Sequence, residues 1–430
     1  MNRMIILTTL FIFSASILSG QATTQQKAVR SYLLQPDRVF DGKDTHQNWV
    51  VLVEGNTIKA VGPTQGIKPP PDVEILALPG CTLIPGMIEG HAHVLLHPYN
   101  ETSWNDQVLK ESEAERVVRA TVHVKETLLA GFTTLRDLGS EGAGYADVGI
   151  KEAIEKGVIP GPRMLVSGRA LVATGSYGPK GFAPNVELPL GAEPADGNDL
   201  IRATRNQIGK GADFIKVYAD YRWGPRKEAQ PSFTLNELKT IMSVANSSGR
   251  PVVAHAATPE GMRRAIMAGV ETIEHGDGGT REIFELMKEK GVALCPTLAA
   301  GDAITQYNGW KKGQEPDPPR IQQKKKNFQL ALDVGVIICA GGDVGVFPHG
   351  DNVRELEMMV DYGMSDLNVL RSVTSVNAQL FHIQDQVGTI QPGKLADLVA
   401  VEGRPDERIA DLRKVQLVMK DGKIYVRKEE

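Results

Sequence analysis

Cysteine is scarce in this chain: three residues in 430, Cys81, Cys295 and Cys339, each inside an apolar run. Three thiols cannot build a disulfide framework for a chain this long, so the sequence predicts buried free cysteines. Aromatic residues amount to only 6%, and neither sign of charge is in excess: 48 Lys and Arg stand against 52 Asp and Glu, a formal net charge of −4. Without a basic excess, nucleic acid and anionic membrane surfaces are excluded as principal partners. Long hydrophobic runs are missing too, apart from Met4 to Leu18, which is short for a stable membrane span. What is present is ample core material, 41% hydrophobic against 23% charged residues, which argues against disorder over most of the chain.

Arg3 precedes that apolar run, and Ser19 and Gly20 follow it. This is the layout of a secretory signal over residues 1–20, with an uncleaved anchor as the alternative. A lipoprotein would need a cysteine after the small residues, and Gln21 stands there. The expectation is a soluble protein, secreted or periplasmic, with no stable membrane insertion of the mature chain.

From Tyr32 to Leu78 short apolar runs alternate with turn residues, and the C-terminus repeats that texture in VQLVMKDGKIYV, where Asp421-Gly422 signals a hairpin. The two β-rich ends predict one small flanking β-sandwich domain from residues 30–80 and 386–430. Between them, over 81–385, strand-like runs alternate with helical patterns. Eight runs stand out: Thr82–His93, Thr133–Leu138, Arg163–Ser167, Phe214–Tyr218, Val252–His255, Thr272–His275, Ala293–Thr297 and Val336–Ala340. Eight strands alternating with helices fit an α/β fold of the (β/α)8 TIM barrel type. A doubly wound open sheet is the runner-up, but no Gly-x-Gly-x-x-Gly follows the first strand.

Polar residues gather at the ends of those runs. His91 and His93 are two apart, so on a strand both imidazoles face one way and can grip one cation. His255 closes PVVAHA, His275 closes ETIEHG, and Asp343 follows VIICAGG. The functional residues of barrels collect at these C-terminal strand ends. Lys216 lies within the apolar strand DFIKVYAD, where a lysine rarely sits unpaired. It is either a snorkelling or salt-bridged lysine, with Asp213 or Asp220 as partner, or a neutral amine able to add carbon dioxide and become an anionic metal-bridging carbamate. Arg136 and Asp137 read as a supporting or structural ion pair, and Met358 and Met359 as core.

In LIPGMIEGHAH, AGFTTLRDLG, IKVYA, VVAHA, TIEHG, GGD and TSVNAQLFHIQDQVGTIQPGKLADLV, taken in this order, the chain resembles the amidohydrolase superfamily, and within it the imidazolonepropionase-like and prolidase-like (Xaa-Pro dipeptidase-like) enzymes. The resemblance implies N6-carboxylysine at Lys216 bridging two zinc ions, with His91, His93 and Asp343 on one and His255 and His275 on the other. It implies a hydrolase of carbon–nitrogen bonds in dipeptides or N-acyl amino acids, ochratoxin-like amides among them. Two such cations acidify a shared water for attack on a carbonyl, and Asp343 is the expected proton carrier.

For substrate contact the resemblance points to Arg263, which matches a carboxylate-holding arginine of prolidase-like members. Loop positions add Tyr177 and Tyr221 and, after strands one and eight, His97 and His349, with Arg222 and Arg226 in reserve on the strand-four loop. Two departures stand out: Ala257 replaces an aromatic residue two after the strand-five histidine, and Gly-Ser-Tyr-Gly replaces a Gly-Gly-His stretch after strand three. The alternatives are a cyclic-amide (imidazolonepropionase-type) or lactone hydrolase, and an inactive binding protein on the same fold. The expected partner is a small-molecule amide or dipeptide; the sequence leaves homo-oligomer formation open.

Overall fold

The computed structural model describes residues 30–428, and the expected signal lies outside them. Strands in chain order are β1 (Ser31–Phe40), β2 (Thr45–Gln47), β3 (Trp49–Glu54), β4 (Thr57–Pro63), β5 (Glu74–Pro85), β6 (Met87–Ala92), β7 (Phe132–Asp137), β8 (Arg163–Val166), β9 (Leu171–Val172), β10 (Glu193–Pro194), β11 (Ile215–Tyr218), β12 (Asp220–Arg222), β13 (Ala229–Pro231), β14 (Val252–Ala256), β15 (Thr272–His275), β16 (Ala293–Cys295), β17 (Leu398–Glu402), β18 (Val415–Lys420) and β19 (Lys423–Arg427). The fold is mixed α/β.

Both chain ends contribute to one sheet, ordered β19-β18-β17-β5-β1-β3-β4 with β2 beside β1. The two chain ends thus build one β domain, as expected, with its strands hydrogen-bonded in a single order. Its outer hairpins meet: a side chain at Gly422 would stand 1.8 Å from the Gly55 carbonyl oxygen. Asp421 (φ 49°) and Gly422 (φ 70°) are both left-handed, as a tight Asp-Gly hairpin requires.

The expected first strand, Thr82–His93, is two strands in two sheets. Through Pro85 the chain pairs with β17; from Met87 it runs parallel to β7. The break falls at Gly86, where a Cβ would stand 2.0 Å from the Thr133 hydroxyl, so only glycine lets the chain pass between the sheets. Strands β6-β7-β8 form one parallel sheet, and β10-β9-β11-β14-β15-β16 another. Strand β11 is buried at every position, as parallel strands covered on both faces are.

Backbone hydrogen bonds join these sheets. The Asp213 N–H donates to Val166 O (2.8 Å) between β8 and β11. On the far side residues 336–344 run between β16 and β6, with bonds from Leu294 N to Ile337 O (2.9 Å), Gly90 N to Ala340 O (2.9 Å) and His93 N to Val344 O (2.7 Å). The expected eighth strand, Val336–Ala340, is therefore an extended segment with single bridging pairs, Leu294 with Ile338 and Ala92 with Val344, not a regular strand. Gly341, Gly342 and the left-handed Asp343 (φ 63°) turn the backbone there before a longer ladder can form.

The helices are set by their ends. Thr234 and Glu237 make a capping box; Thr258 and Thr280 cap the helices Pro259–Ala268 and Arg281–Lys290, which end on left-handed Gly269 and Gly291. Each capping threonine of this pair starts its helix just past a strand end, so β14 and β15 deliver their histidines onto the same face.

Candidate active site

His91 comes from β6 and His93 from just beyond it, Lys216 from β11, His255 from β14, His275 from the last residue of β15, and Asp343 from the turn after the bridging segment. The structure brings all six together. Asp343 Oδ1 stands 3.6 Å from His91 Nε2 and 3.4 Å from His93 Nε2. The ring centroids of His91 and His275 are 5.2 Å apart, and those of His255 and His275 4.5 Å. Lys216 is 1% exposed, its Nζ 5.5 Å from the centre of the Tyr218 ring. Neither expected salt-bridge partner reaches it. Asp213 pairs with Lys151, and Asp220 accepts hydrogen bonds from the N–H groups of Ala257 and Thr258.

Outer contacts orient these groups. His91 Nδ1 bonds Glu274 Oε2 (2.8 Å), His93 Nδ1 donates to Gly139 O (2.9 Å), and His275 Nδ1 bonds Thr297 Oγ1 (2.8 Å). Each ring thus keeps Nε2 for the shared space, the arrangement by which metal-binding histidines are aimed. Glu274 also pairs with Arg136 Nη2 (2.9 Å), which corrects the expected Arg136–Asp137 pair: neighbours on a strand point to opposite faces. Asp137 instead accepts the Val94 N–H (2.7 Å). Glu89 accepts from the N–H groups of His91 (3.0 Å) and Gly342 (2.9 Å), tying β6 to the turn that carries Asp343.

Burial sets the electrostatics. It holds His91 and His275 well below the usual histidine range and His255 down to about 3, with the Lys216 charge acting in the same direction on all three. Burial also lowers the Lys216 ammonium and pushes Asp343 up to about 6. Neutral imidazoles are what a metal ion requires.

A cavity of about 430 Å³ opens above this cluster. Tyr177 and Tyr221 line it, and so do Glu141, Arg222, Arg320 and Thr297. Three expected contacts do not. Arg263 pairs with Glu282 (2.9 Å) on the next helix: the helical period turns Met262, Ala265 and Ile266 inward and leaves Arg263 facing a neighbour. Arg226 is exposed beyond β12, which pairs with β13 in a hairpin where the sequence suggested a plain loop. His349 is buried, stacked on His123 at 4.4 Å, with Nε2 on Leu96 O (3.2 Å). His97 is buried as well, bonded to Glu101 and Glu111.

Sequence reasoning missed Glu89, Glu141, Glu274 and Thr297. Two carried a readable signal, since Glu89 and Glu274 sit inside apolar strand runs where an acid needs partners. Thr297 and Glu141 are marked only by left-handed backbone (φ 48° each), shared with His275 (φ 76°) and Asp343 (φ 63°). Non-glycine residues rarely adopt it, and such strain concentrates at functional sites.

The donor set fits a metal ion. Donors on one tetrahedral zinc stand ~3.4 Å apart, close to the Asp343 separations from His91 and His93, and His91, His275 and Asp343 offer ligand atoms all within 4.8 Å of one another. The model of the amidohydrolase family matches residues 82–425. Ochratoxinase from Aspergillus niger is 31% identical over 380 residues, 80% of this chain and 75% of that protein. A Xaa-Pro dipeptidase solved with methionine in its active site superposes with a TM-score of 0.80 at 30% identity, over 92% of this chain and all of the other. The structure of A. niger ochratoxinase does so at 0.78 and 27%, over 93% and 96%. With this sequence match, this shared fold and a hydrolase's donor set in one cavity, the chain belongs to the amidohydrolase family.

Proposed function

We propose that this protein is a dinuclear metal-dependent hydrolase that cleaves the amide bond of dipeptides or N-acyl amino acids. The observation carrying this reading is the convergence of His91, His93, His255, His275 and Asp343 in one cavity, with the buried Lys216 close enough for its charge to act on His91, His255 and His275. We read the eight parallel segments as a closed (β/α)8 barrel, with these side chains at its C-terminal face. His91, His93 and Asp343 would hold one cation, His255 and His275 the other, and Lys216 as N6-carboxylysine would bridge them. Divalent ions, zinc by the nature of the donors, supply Lewis acidity toward a carbonyl and acidify water when bound.

The chain's own groups supply the rest. Asp343 carries a proton at Oδ2, the oxygen not counted among the cation's donors, from the nucleophilic water to the leaving nitrogen. Glu274 and Thr297 keep the histidine rings in place, and the tyrosine-lined walls exclude water. The volume suits a dipeptide-sized molecule. Arg222 and Arg320 both line the cavity and make no ion pair among the described residues; the leaving amino acid's carboxylate is assigned to Arg222, whose charge acts on His255, while that of Arg320 acts on Asp277. A charged hydrogen bond contributes about 1.5–3 kcal/mol, so Arg222→Ala should lower kcat/KM roughly ten- to a hundredfold for acids and much less for the matching C-terminal amides. Equal losses on both would remove Arg222 from that role.

Metal analysis of the purified protein, with a panel of dipeptides, N-acyl amino acids, cyclic amides and lactones, tests the main reading. Two metal ions per chain and turnover of open amides are expected; turnover confined to rings or esters overturns it. The protein is further proposed to be exported with cleavage close to Gln21. N-terminal sequencing after expression in a Gram-negative host checks this, and an intact Met1 on membrane-bound protein would count against it.

A further inference from the structure

One buried acid facing the cavity has no role in the reaction described above. Glu141 is 3% exposed and lines the space above the metal-ligating cluster. Other acids there have basic neighbours: Asp343 has His91 and His93, Asp277 has Lys324, and Asp220 has His255 at 3.8 Å. The Glu141 carboxylate has none within ion-pair distance among the described residues. The charge of the buried Arg116 acts on Glu141, but its N–H groups donate to the carbonyls of Leu95, Ser140 and Glu141 itself, not to the carboxylate.

Only neutral donors hold the carboxylate. Oε2 accepts from Trp104 Nε1 (2.8 Å) and the Tyr177 hydroxyl (2.6 Å), whereas Oε1 has a single, longer bond from the Tyr218 hydroxyl (3.3 Å). A carboxylate accepts about four hydrogen bonds, so Oε1 retains capacity toward the cavity. Aromatic rings enclose the same space. Tyr177 packs against Trp104 at 5.2 Å, Tyr218 at 4.6 Å and Tyr221 at 4.8 Å between ring centres. A buried carboxylate with no cation hydrogen-bonded to it, walled by electron-rich rings, is suited to a desolvated organic cation on both counts. The position is close to the chemistry: Gly139, two residues before Glu141, accepts from His93, and the Tyr218 ring stacks on His255 at 4.6 Å.

We propose that Glu141, with Trp104, Tyr177, Tyr218 and Tyr221, forms a subsite for an ammonium on the acyl half of the substrate. This rests on the amide-hydrolase reading and narrows it: dipeptides with a free N-terminal amine are preferred to N-acyl amino acids. The ammonium donates to Glu141 Oε1 while its remaining surface meets the rings, and the scissile carbonyl, two bonds away, is held over the ligand cluster.

The test compares alanyl-phenylalanine, N-acetyl-alanyl-phenylalanine and propionyl-phenylalanine on the metal-loaded wild type and on Glu141→Gln. In the wild type, kcat/KM for alanyl-phenylalanine should exceed that for propionyl-phenylalanine by about ten- to a hundredfold, mostly through KM. Glu141→Gln should bring the ratio within about threefold while metal content stays the same. Should that variant fail to fold, competitive inhibition of the wild type still decides: alaninamide should inhibit at least about tenfold more strongly than N-acetyl-alaninamide. Equal inhibition by the two, or propionyl-phenylalanine turned over as well as alanyl-phenylalanine, overturns the subsite alone. A wild type that hydrolyses none of the three overturns the amide-hydrolase reading and the subsite with it.

Discussion

Lys216→Ala is expected to abolish most bound metal and to lower turnover by about a thousandfold or more, because it removes the proposed bridge between two cations and leaves five donors to hold both. Lys216 is 1% exposed, its Nζ lies 5.5 Å from the centre of the Tyr218 ring, and burial lowers its ammonium. A lowered ammonium gives up its proton more easily than a free lysine, and the neutral amine is the form that adds carbon dioxide. Metal analysis and turnover should therefore fall together and recover in part when a small carboxylate such as propionate is supplied. A salt-bridged structural lysine predicts otherwise: loss of stability, full metal content in the surviving protein and no rescue. Full metal and full activity in Lys216→Ala would sink the carbamate.

Asp343→Asn should separate proton transfer from folding. Asparagine tolerates the left-handed backbone that Asp343 adopts (φ 63°), so the turn after Gly342 should persist. With the proton acceptor gone, kcat should drop about 10²–10⁴-fold while KM changes little. The pH profile gives a second readout. Burial pushes Asp343 up to about 6, and a protonated carboxyl cannot accept the water's proton. Wild-type kcat/KM should thus fall as pH drops through a value at or below about 6, since bound cations pull the group down from there. Asp343→Asn should lose that acid limb. A variant that keeps both the limb and near wild-type kcat assigns the proton to another group.

Much of the fold is legible from local pattern. Strand-like runs alternating with 3.6-period helices announce the α/β middle, and Asp421-Gly422 announces its hairpin, because periodicity and turn chemistry act over a few residues. The flanking sheet is harder to read. Its strands pair across more than 300 residues, β5 with β17 for instance, and whether two tails make one sheet or two depends on pairings no local pattern encodes. Segment 336–344 has the apolar run of a strand, yet its ladder is reduced to single pairs by the turn at Gly341 to Asp343.

For the site, residue type and strand-end position alone singled out His91, His93, Lys216, His255, His275 and Asp343. Chemistry of that kind is written in composition, since imidazoles at strand ends and a lysine in an apolar strand are costly unless used. Which arginine meets the cavity was decided elsewhere. Arg263 leads in the sequence and Arg222 stands in reserve, but the helix carrying Arg263 turns it toward Glu282, while β12 brings Arg222 to the cavity. Glu141 likewise gains its meaning only in three dimensions, where Trp104, Tyr177 and Tyr218 arrive from segments up to 77 residues away. The sequence by itself determined the alternation of elements and the donors a metal would take, because both follow from short-range pattern and side-chain chemistry. The tertiary structure decided which cations and carboxylates face the cavity, because that depends on helix rotation and long-range packing, which a residue's neighbours in sequence do not specify.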